Sequence, residues 1–154
     1  MVRLTVAEAI VMYSHLVETK KWGEVHDEAV KQLRTSKNVD PTAWFKMRIE
    51  CPVLDKKTKL CSAYAVRPAF CSTHFVKSSP ETCDPWYVGS KPYQPDYMED
   101  LYKQATKLIK QSVDGNGILG VELPIHSALL LAERISVSSG LSYEQILKII
   151  SNEY

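Results

Sequence analysis

The chain has 154 residues and a mass of 17.4 kDa, which is the size of one domain that buries a core without disulfide bonds. Hydrophobic residues make up 45% and charged residues 24%, as in ordinary globular proteins, so disordered and fibrous classes are excluded. The formal net charge of +1 lacks the basic excess of proteins that coat nucleic acids. We therefore expect a single globular domain over residues 1–154.

The N-terminal apolar stretch is interrupted by Glu8, Tyr13, Ser14 and His15 and has no small-residue cleavage site, so it predicts an amphipathic helix and not a secretion signal. The densest apolar run, residues 127–132, is far shorter than the roughly 20 residues that cross a bilayer. We expect a soluble, cytoplasmic protein. In that reducing compartment, cysteines bind metals more readily than they form disulfides.

Three helices are predicted before the first cysteine. Thr5 and Glu8 form a capping box ahead of apolar residues at helical spacing, which predicts a helix over about residues 6–19. A second apolar face predicts a helix over about residues 24–33, and polar residues then end it. Asp40 followed by Pro41 is typical of a helix start, so a third short helix is expected at residues 42–47.

Residues 48–96 form an insert without helical or strand periodicity. All four cysteines and six of the eight prolines fall in or beside it. An irregular stretch of this length is uncommon in a compact domain unless it is functional or cross-linked, and a bound metal is one such cross-link. The composition thus favours a metal-binding insert.

Helical spacing returns over about residues 97–152. A helix is predicted to about Val113, a second from Pro124 to about Val137, and a third after the capping box of Ser142 and Gln145. Between them, residues 115–120 fit G-x-G-x-x-G, but they follow a helix and not a strand, so they predict a turn and no nucleotide site. The predicted fold class is mainly α, a small helical bundle with an irregular cysteine-rich metal-binding insert.

The cysteines Cys51, Cys61, Cys71 and Cys83 are spaced C-x9-C-x9-C-x11-C. Four thiolates can hold a tetrahedral zinc ion or the four irons of a cubane cluster. Structural zinc sites usually contain C-x2-4-C pairs, and this chain has none. We therefore favour a [4Fe-4S] cluster, with Zn2+ as the alternative. Four metal-free buried thiols and a disulfide pair are the less favoured interpretations.

Residues near the cysteines suggest supporting roles. Tyr64 and Arg67 are expected to contribute to cofactor binding, because Arg67 can donate hydrogen bonds to thiolates or offset their charge. His74 is an alternative ligand in a Cys3His site. The lysines between Cys51 and Cys61 are interpreted as a solvated hairpin without a functional role.

The string C-P-x-L-D-x5-C-x2-Y-x2-R-P-x2-C, which runs from Cys51 to Cys71, resembles the signature of the YkgJ-type cysteine-cluster family of zinc- or iron-chelating domains. The resemblance implies metal chelation by these cysteines, with Cys83 as a trailing ligand, and implies no defined reaction. The family also carries an upstream C-x-x-C-C-like cluster, which this chain lacks because Cys51 is its first cysteine.

Two functions fit these patterns. In the first, the metal orders a loop surface that recognises another protein, and in the second an iron-sulfur cluster serves a redox or modification-accessory reaction. We favour the first, because no acid, base or substrate pocket is evident beside the cysteines. The expected partner is a protein, and neither a membrane nor a nucleic acid.

Overall fold

The computed structural model describes residues 2–37, 39–47, 49–72, 75–76, 92–93, 96–112, 117–138 and 141–153. Within them the protein is mainly helical, which confirms the predicted fold class. The helices are α1 Val6–Glu18, α2 Trp22–Ser36, α3 Pro41–Lys46, α4 Ala69–Ser72, α5 Asp96–Ser112, α6 Ile125–Val137 and α7 Tyr143–Glu153. The strands are β1 Arg3–Thr5, β2 Phe75–Val76, β3 Pro92–Tyr93 and β4 Glu122–Pro124, and single 3-10 turns form at Tyr64–Val66 and Ile118–Gly120.

The helix starts follow the predicted caps. Glu8 and Thr5 satisfy each other's backbone N–H groups, at 2.8 Å from Thr5 N to Glu8 Oε2 and 3.2 Å from Glu8 N to Thr5 Oγ1. Asp40 Oδ1 accepts from the Ala43 N–H at 3.0 Å at the start of α3. A second capping box, with 2.8 Å from Ser142 N to the Gln145 side chain, stands at the start of α7.

Helix α2 is longer than its predicted range. We expected polar residues from Arg34 onward to end it, but it continues to Ser36. Two polar residues on its inner face have partners, since Gln32 Nε2 donates to the Glu50 carbonyl at 2.9 Å and Ser36 Oγ donates to the Leu33 carbonyl at 2.9 Å. A polar residue with a partner is compatible with a buried helix face.

The centre of the core is α6, which packs against both α1 and α2. Every residue from Ile125 to Ala132 is buried, as expected for a helix that is apolar on all sides. The helices before and after the cysteines therefore form one bundle, as expected from the sequence. The opposing faces of α1 and α2 contribute Ala9, Met12, Leu16, Val25 and Ala29 to the same core.

A short antiparallel pair of strands joins the segment before α1 to the segment before α6. Strand β1 pairs with β4 in the register Arg3 to Pro124, Leu4 to Leu123 and Thr5 to Glu122. The Ile125 N–H also donates to the Val2 carbonyl at 3.0 Å, so the starts of α1 and α6 are held side by side. The sequence did not predict these strands, because three residues are too few to display a period of two.

The G-x-G-x-x-G segment behaves as a turn where it is described. Gly117 has φ of 69°, the left-handed region that glycine tolerates, and a 3-10 turn and β4 follow it. Residues 113–116 lie outside the described part of the chain. None of the described helices combines the length and apolarity needed to cross a membrane.

Candidate metal centre

Cys51 and Cys61 each open a tight turn of the same kind. The Leu54 N–H donates to the Cys51 carbonyl at 3.0 Å, and the Tyr64 N–H donates to the Cys61 carbonyl at 3.2 Å. The second residue after each cysteine enters the core, since Val53 is 1% and Ala63 0% exposed. Two short segments thus fold alike because each buries one small apolar side chain and closes one backbone hydrogen bond.

A hairpin joins the two turns. Leu54 and Cys61 form an antiparallel bridge, and the Ser62 N–H donates to the Val53 carbonyl at 2.9 Å. At the hairpin tip, Asp55 Oδ1 accepts from the N–H groups of residues 57 and 58, each at 2.9 Å. These backbone hydrogen bonds hold the pKa of the Asp55 carboxyl below its usual value. The turn chemistry of Asp55 therefore sets the distance between the two cysteine turns.

Cys71 comes from a third element, the short helix α4. The Ser72 N–H donates to the Pro68 carbonyl at 2.9 Å, which closes its single turn. At its first residue, the Ala69 N–H donates to Glu8 Oε1 of α1 at 2.8 Å. Helix α4 is thus attached to the bundle through a side chain 61 residues earlier in the chain.

The three thiols share one electrostatic environment. Burial first, and then the negative charges of Cys71 and Cys61, raise the pKa of Cys51 to about 12, so the three sulfurs interact. Burial also raises the pKa of Cys71 to about 12, and it raises that of Cys61. A bare thiolate is disfavoured in such a place, whereas a metal cation compensates its charge.

Backbone donors partly oppose this effect of burial. The Val53 N–H bonds to the Cys51 sulfur and the Ala63 N–H to the Cys61 sulfur, and both lower the thiol pKa. Hydrogen bonds from N–H groups to sulfur favour the charged form, which is the form that binds metal. The donor set of soft sulfurs with N–H support therefore fits a thiolate-bound metal centre.

Arg67 is placed beside these sulfurs. Its positive charge lowers the pKa of both Cys61 and Cys71 against the larger effect of burial. Its guanidinium carbon lies 4.5 Å from the centre of the Tyr64 ring, a cation–π contact. Tyr64 itself is 64% exposed, so it orients Arg67 and does not shield the cysteines from water. Their roles in cofactor binding remain predictions.

The lysines of the hairpin point to carboxylates. Lys56 Nζ lies 2.9 Å from Glu28, and Lys59 Nζ lies 2.8 Å from Glu50. These partly exposed ion pairs are each worth less than about 1 kcal/mol. They fit the interpretation of a solvated hairpin.

Of the four predicted ligands, Cys51, Cys61 and Cys71 are described, each is half-buried, and the charges of Cys61 and Cys71 act on the Cys51 thiol. Cys83 and the alternative ligand His74 lie outside the described residues, so their positions stay predictions. Among the described residues, no group of three His, Cys, Asp or Glu side chains is arranged to hold a metal ion by itself. A site of Cys51, Cys61 and Cys71 with Cys83 therefore depends on the segment that follows Cys71.

Glu8 is the residue that the sequence did not associate with the cysteines. Its capping-box role was visible from the spacing to Thr5, but its hydrogen bond to Ala69 was not. No local pattern signals a contact between residues so far apart in the chain. Only the packing of α4 against the start of α1 reveals it.

Residues 12–86 match the family model CxxCxxCC, described as "Putative zinc- or iron-chelating domain". The match begins within α1 and includes all four cysteines. It confirms the resemblance drawn from the cysteine signature. The chain matches no curated protein and no solved structure.

Proposed function

We propose that the protein binds one metal centre through Cys51, Cys61, Cys71 and Cys83. The reason is that residues 12–86 match the family model of zinc- or iron-chelating domains. The observation that carries the proposal is the pair of equivalent cysteine turns, in which backbone N–H groups bond to the sulfurs. A third thiol, that of Cys71, lies within electrostatic reach of Cys51. Such an arrangement stabilises thiolates when a cation is present.

Of the two metals, a [4Fe-4S] cluster is the one we propose. Each cysteine turn supplies a single sulfur, and no turn carries the second cysteine of a C-x2-4-C pair. A cubane takes one thiolate at each of four separate irons, so single ligands from separate turns suit it. A structural Zn2+ site with the same four sulfurs is the alternative.

The centre would serve to order the surface formed by the cysteine turns. Leu60 at the hairpin and Tyr64 after the second cysteine are 60% and 64% exposed. Large apolar side chains exposed together favour recognition of another protein. When bound, the metal supplies the cross-link that fixes these turns, and an iron cluster adds the capacity to carry an electron.

The test is the metal content of protein purified without oxygen. We expect a brown protein with about four irons per chain and a broad absorption near about 400 nm that dithionite bleaches, as for thiolate-bound iron. Matched Cys61→Ser and Ser62→Ala variants control for ligation, since only the first removes a sulfur. Colourless protein with about one zinc per chain would establish the alternative. Protein that holds neither metal, and whose Cys61→Ser variant behaves like the parent, would overturn the proposal.

A further inference from the structure

The Glu8 side chain joins two helices that are far apart in sequence. Its Oε1 accepts from the Ala69 N–H at 2.8 Å. Its Oε2 accepts from both the N–H and the hydroxyl of Thr5, at 2.8 and 2.9 Å. One carboxylate therefore closes the first turn of α1 and the first turn of α4 together.

Helix α4 needs this external support. It has only four residues, Ala69–Ser72, and a single helical turn is unstable alone because nucleation fixes several residues for one hydrogen bond. Its first N–H group has no carbonyl acceptor within so short a helix. Glu8 provides that acceptor from the rigid end of α1, which β1 and β4 fix in the bundle.

Cys71 lies in this turn, two residues after Ala69. Glu8 is also within electrostatic range of the Cys71 sulfur. A shift of α4 would displace Cys71 relative to Cys51 and Cys61, whose turns are anchored separately by Val53 and Ala63 in the core. The relative position of the third sulfur thus depends on the Glu8–Ala69 hydrogen bond together with the packing of α4 against α5, where the Phe70 and Tyr102 rings meet edge to face with 5.8 Å between their centroids.

We propose that Glu8 is a positioning residue for the metal centre, which sets the place of the Cys71 sulfur by holding the start of α4. The inference rests on the proposed metal-binding function. Glu8 is not itself assigned as a ligand, because both of its oxygens already accept hydrogen bonds from Thr5 and Ala69. Glu8 lies before the residues that match the family model, 12–86.

The test measures how fast the full chain, loaded with its own metal, releases iron or zinc to a chelator. Glu8→Ala removes the tie to α4, and we expect release about 10-fold faster than in the parent, as for other residues that orient metal ligands. Glu8→Gln keeps a carbonyl oxygen for the Ala69 N–H, so its release rate should return close to the parent rate. If Glu8→Ala does not fold, Glu8→Asp replaces it, because its shorter side chain keeps the charge at α1 but does not reach Ala69.

The matched control is Ser142→Ala. It removes the hydroxyl of the capping box at the start of α7, on a different helix from Glu8. It should weaken a helix cap and lower the melting temperature, yet leave the release rate at the parent value. Equal release from Ser142→Ala and Glu8→Ala would overturn the inference, because Glu8 would then act only as a helix cap. A parent protein that retains no metal would instead remove the proposed function, and the inference with it.

Discussion

Helix α6 and the cysteine segment, residues 51–72, are held in opposite ways. Helix α6 is surrounded by apolar side chains, and all of its residues from Ile125 to Ala132 are buried. The cysteine segment buries only Val53 and Ala63 within the core cluster, and Cys51, Cys61 and Val66 pack against the edge of that cluster. Turn hydrogen bonds, the bond from Ala69 to Glu8 and partly exposed ion pairs also hold the segment. Burial of apolar surface is a large, non-directional term, whereas exposed ion pairs and single turns contribute little.

The difference separates stability from function. We expect the bundle around α6 to fold without a ligand, because it buries apolar surface on all sides of this helix. The cysteine segment buries thiols whose pKa values are raised, and under the proposed function it would gain order when a metal binds them as thiolates. The scaffold should therefore be insensitive to metal, and the cysteine segment should depend on it.

The largest effect should come from a cavity in α6. Leu129 is 0% exposed, and Leu129→Ala should cost about 4 kcal/mol of unfolding free energy, because the lost contacts leave a cavity. Denaturant unfolding with and without a chelator measures this loss of unfolding free energy. Val137→Ala on the same helix is the control, since Val137 is 71% exposed and its loss should be nearly neutral. A Leu129→Ala cost that vanished on metal removal would break the separation of scaffold from site.

Removal of one sulfur should act locally. In Cys71→Ser the metal no longer holds α4, and trypsin should cut within residues 51–72 about 100-fold faster, while the terminal helices stay protected. Lys56, Lys57 and Lys59 supply the cleavage sites. Ser72→Ala, in the same short helix, keeps every thiol and should be cut at the parent rate. Cutting no faster in Cys71→Ser would show that the metal does not order the segment.

The scaffold was predictable because its signals are local. The capping box at Thr5 and the start of α3 at Asp40 each depend on residues three apart, and the hydrogen bonds confirm both. A helix was predicted from Pro124 to about Val137, and the structure has it at Ile125–Val137. What escaped prediction is non-local, namely the β1–β4 pair and the bond from Glu8 to Ala69.

The candidate site was predictable in its chemistry and not in its construction. The spacing of the cysteines and the family signature indicated thiolate ligation, and the family match supports zinc or iron chelation. The repeated turn at Cys51 and Cys61 could not be foreseen, because it depends on Val53 and Ala63 meeting the core. The distance between these two turns cannot be read from the sequence, because it is fixed only when the bundle assembles.

His126 is a buried polar residue inside helix α6, and it gives this otherwise apolar helix a titratable group of its own. It is 2% exposed, and its Nε2 lies 3.3 Å from Ser36 Oγ, whose own hydrogen is donated to the Leu33 carbonyl. Ser36 therefore accepts from Nε2–H, which leaves Nδ1 unprotonated. Among the described residues Nδ1 has no hydrogen-bond partner. The centroids of the Trp44 and His126 rings lie 5.3 Å apart. The burial of His126 fits a structural role.

The smallest of the three effects is a dependence of scaffold stability on acid. Burial lowers the pKa of His126 to about 4, below its ordinary value of 6.5. Between these values the unfolded chain binds a proton that the folded chain does not, so stability falls as the pH falls through this window. From about pH 7 to pH 5 the loss of unfolding free energy should be about 2 kcal/mol.

Urea unfolding of the parent and of His126→Gln at both pH values isolates this contribution. The control is His15→Gln, which removes a half-buried histidine from α1. An equal loss in the parent and in His126→Gln would show that His126 binds a proton equally well in the folded and unfolded chain, so that burial does not lower its pKa.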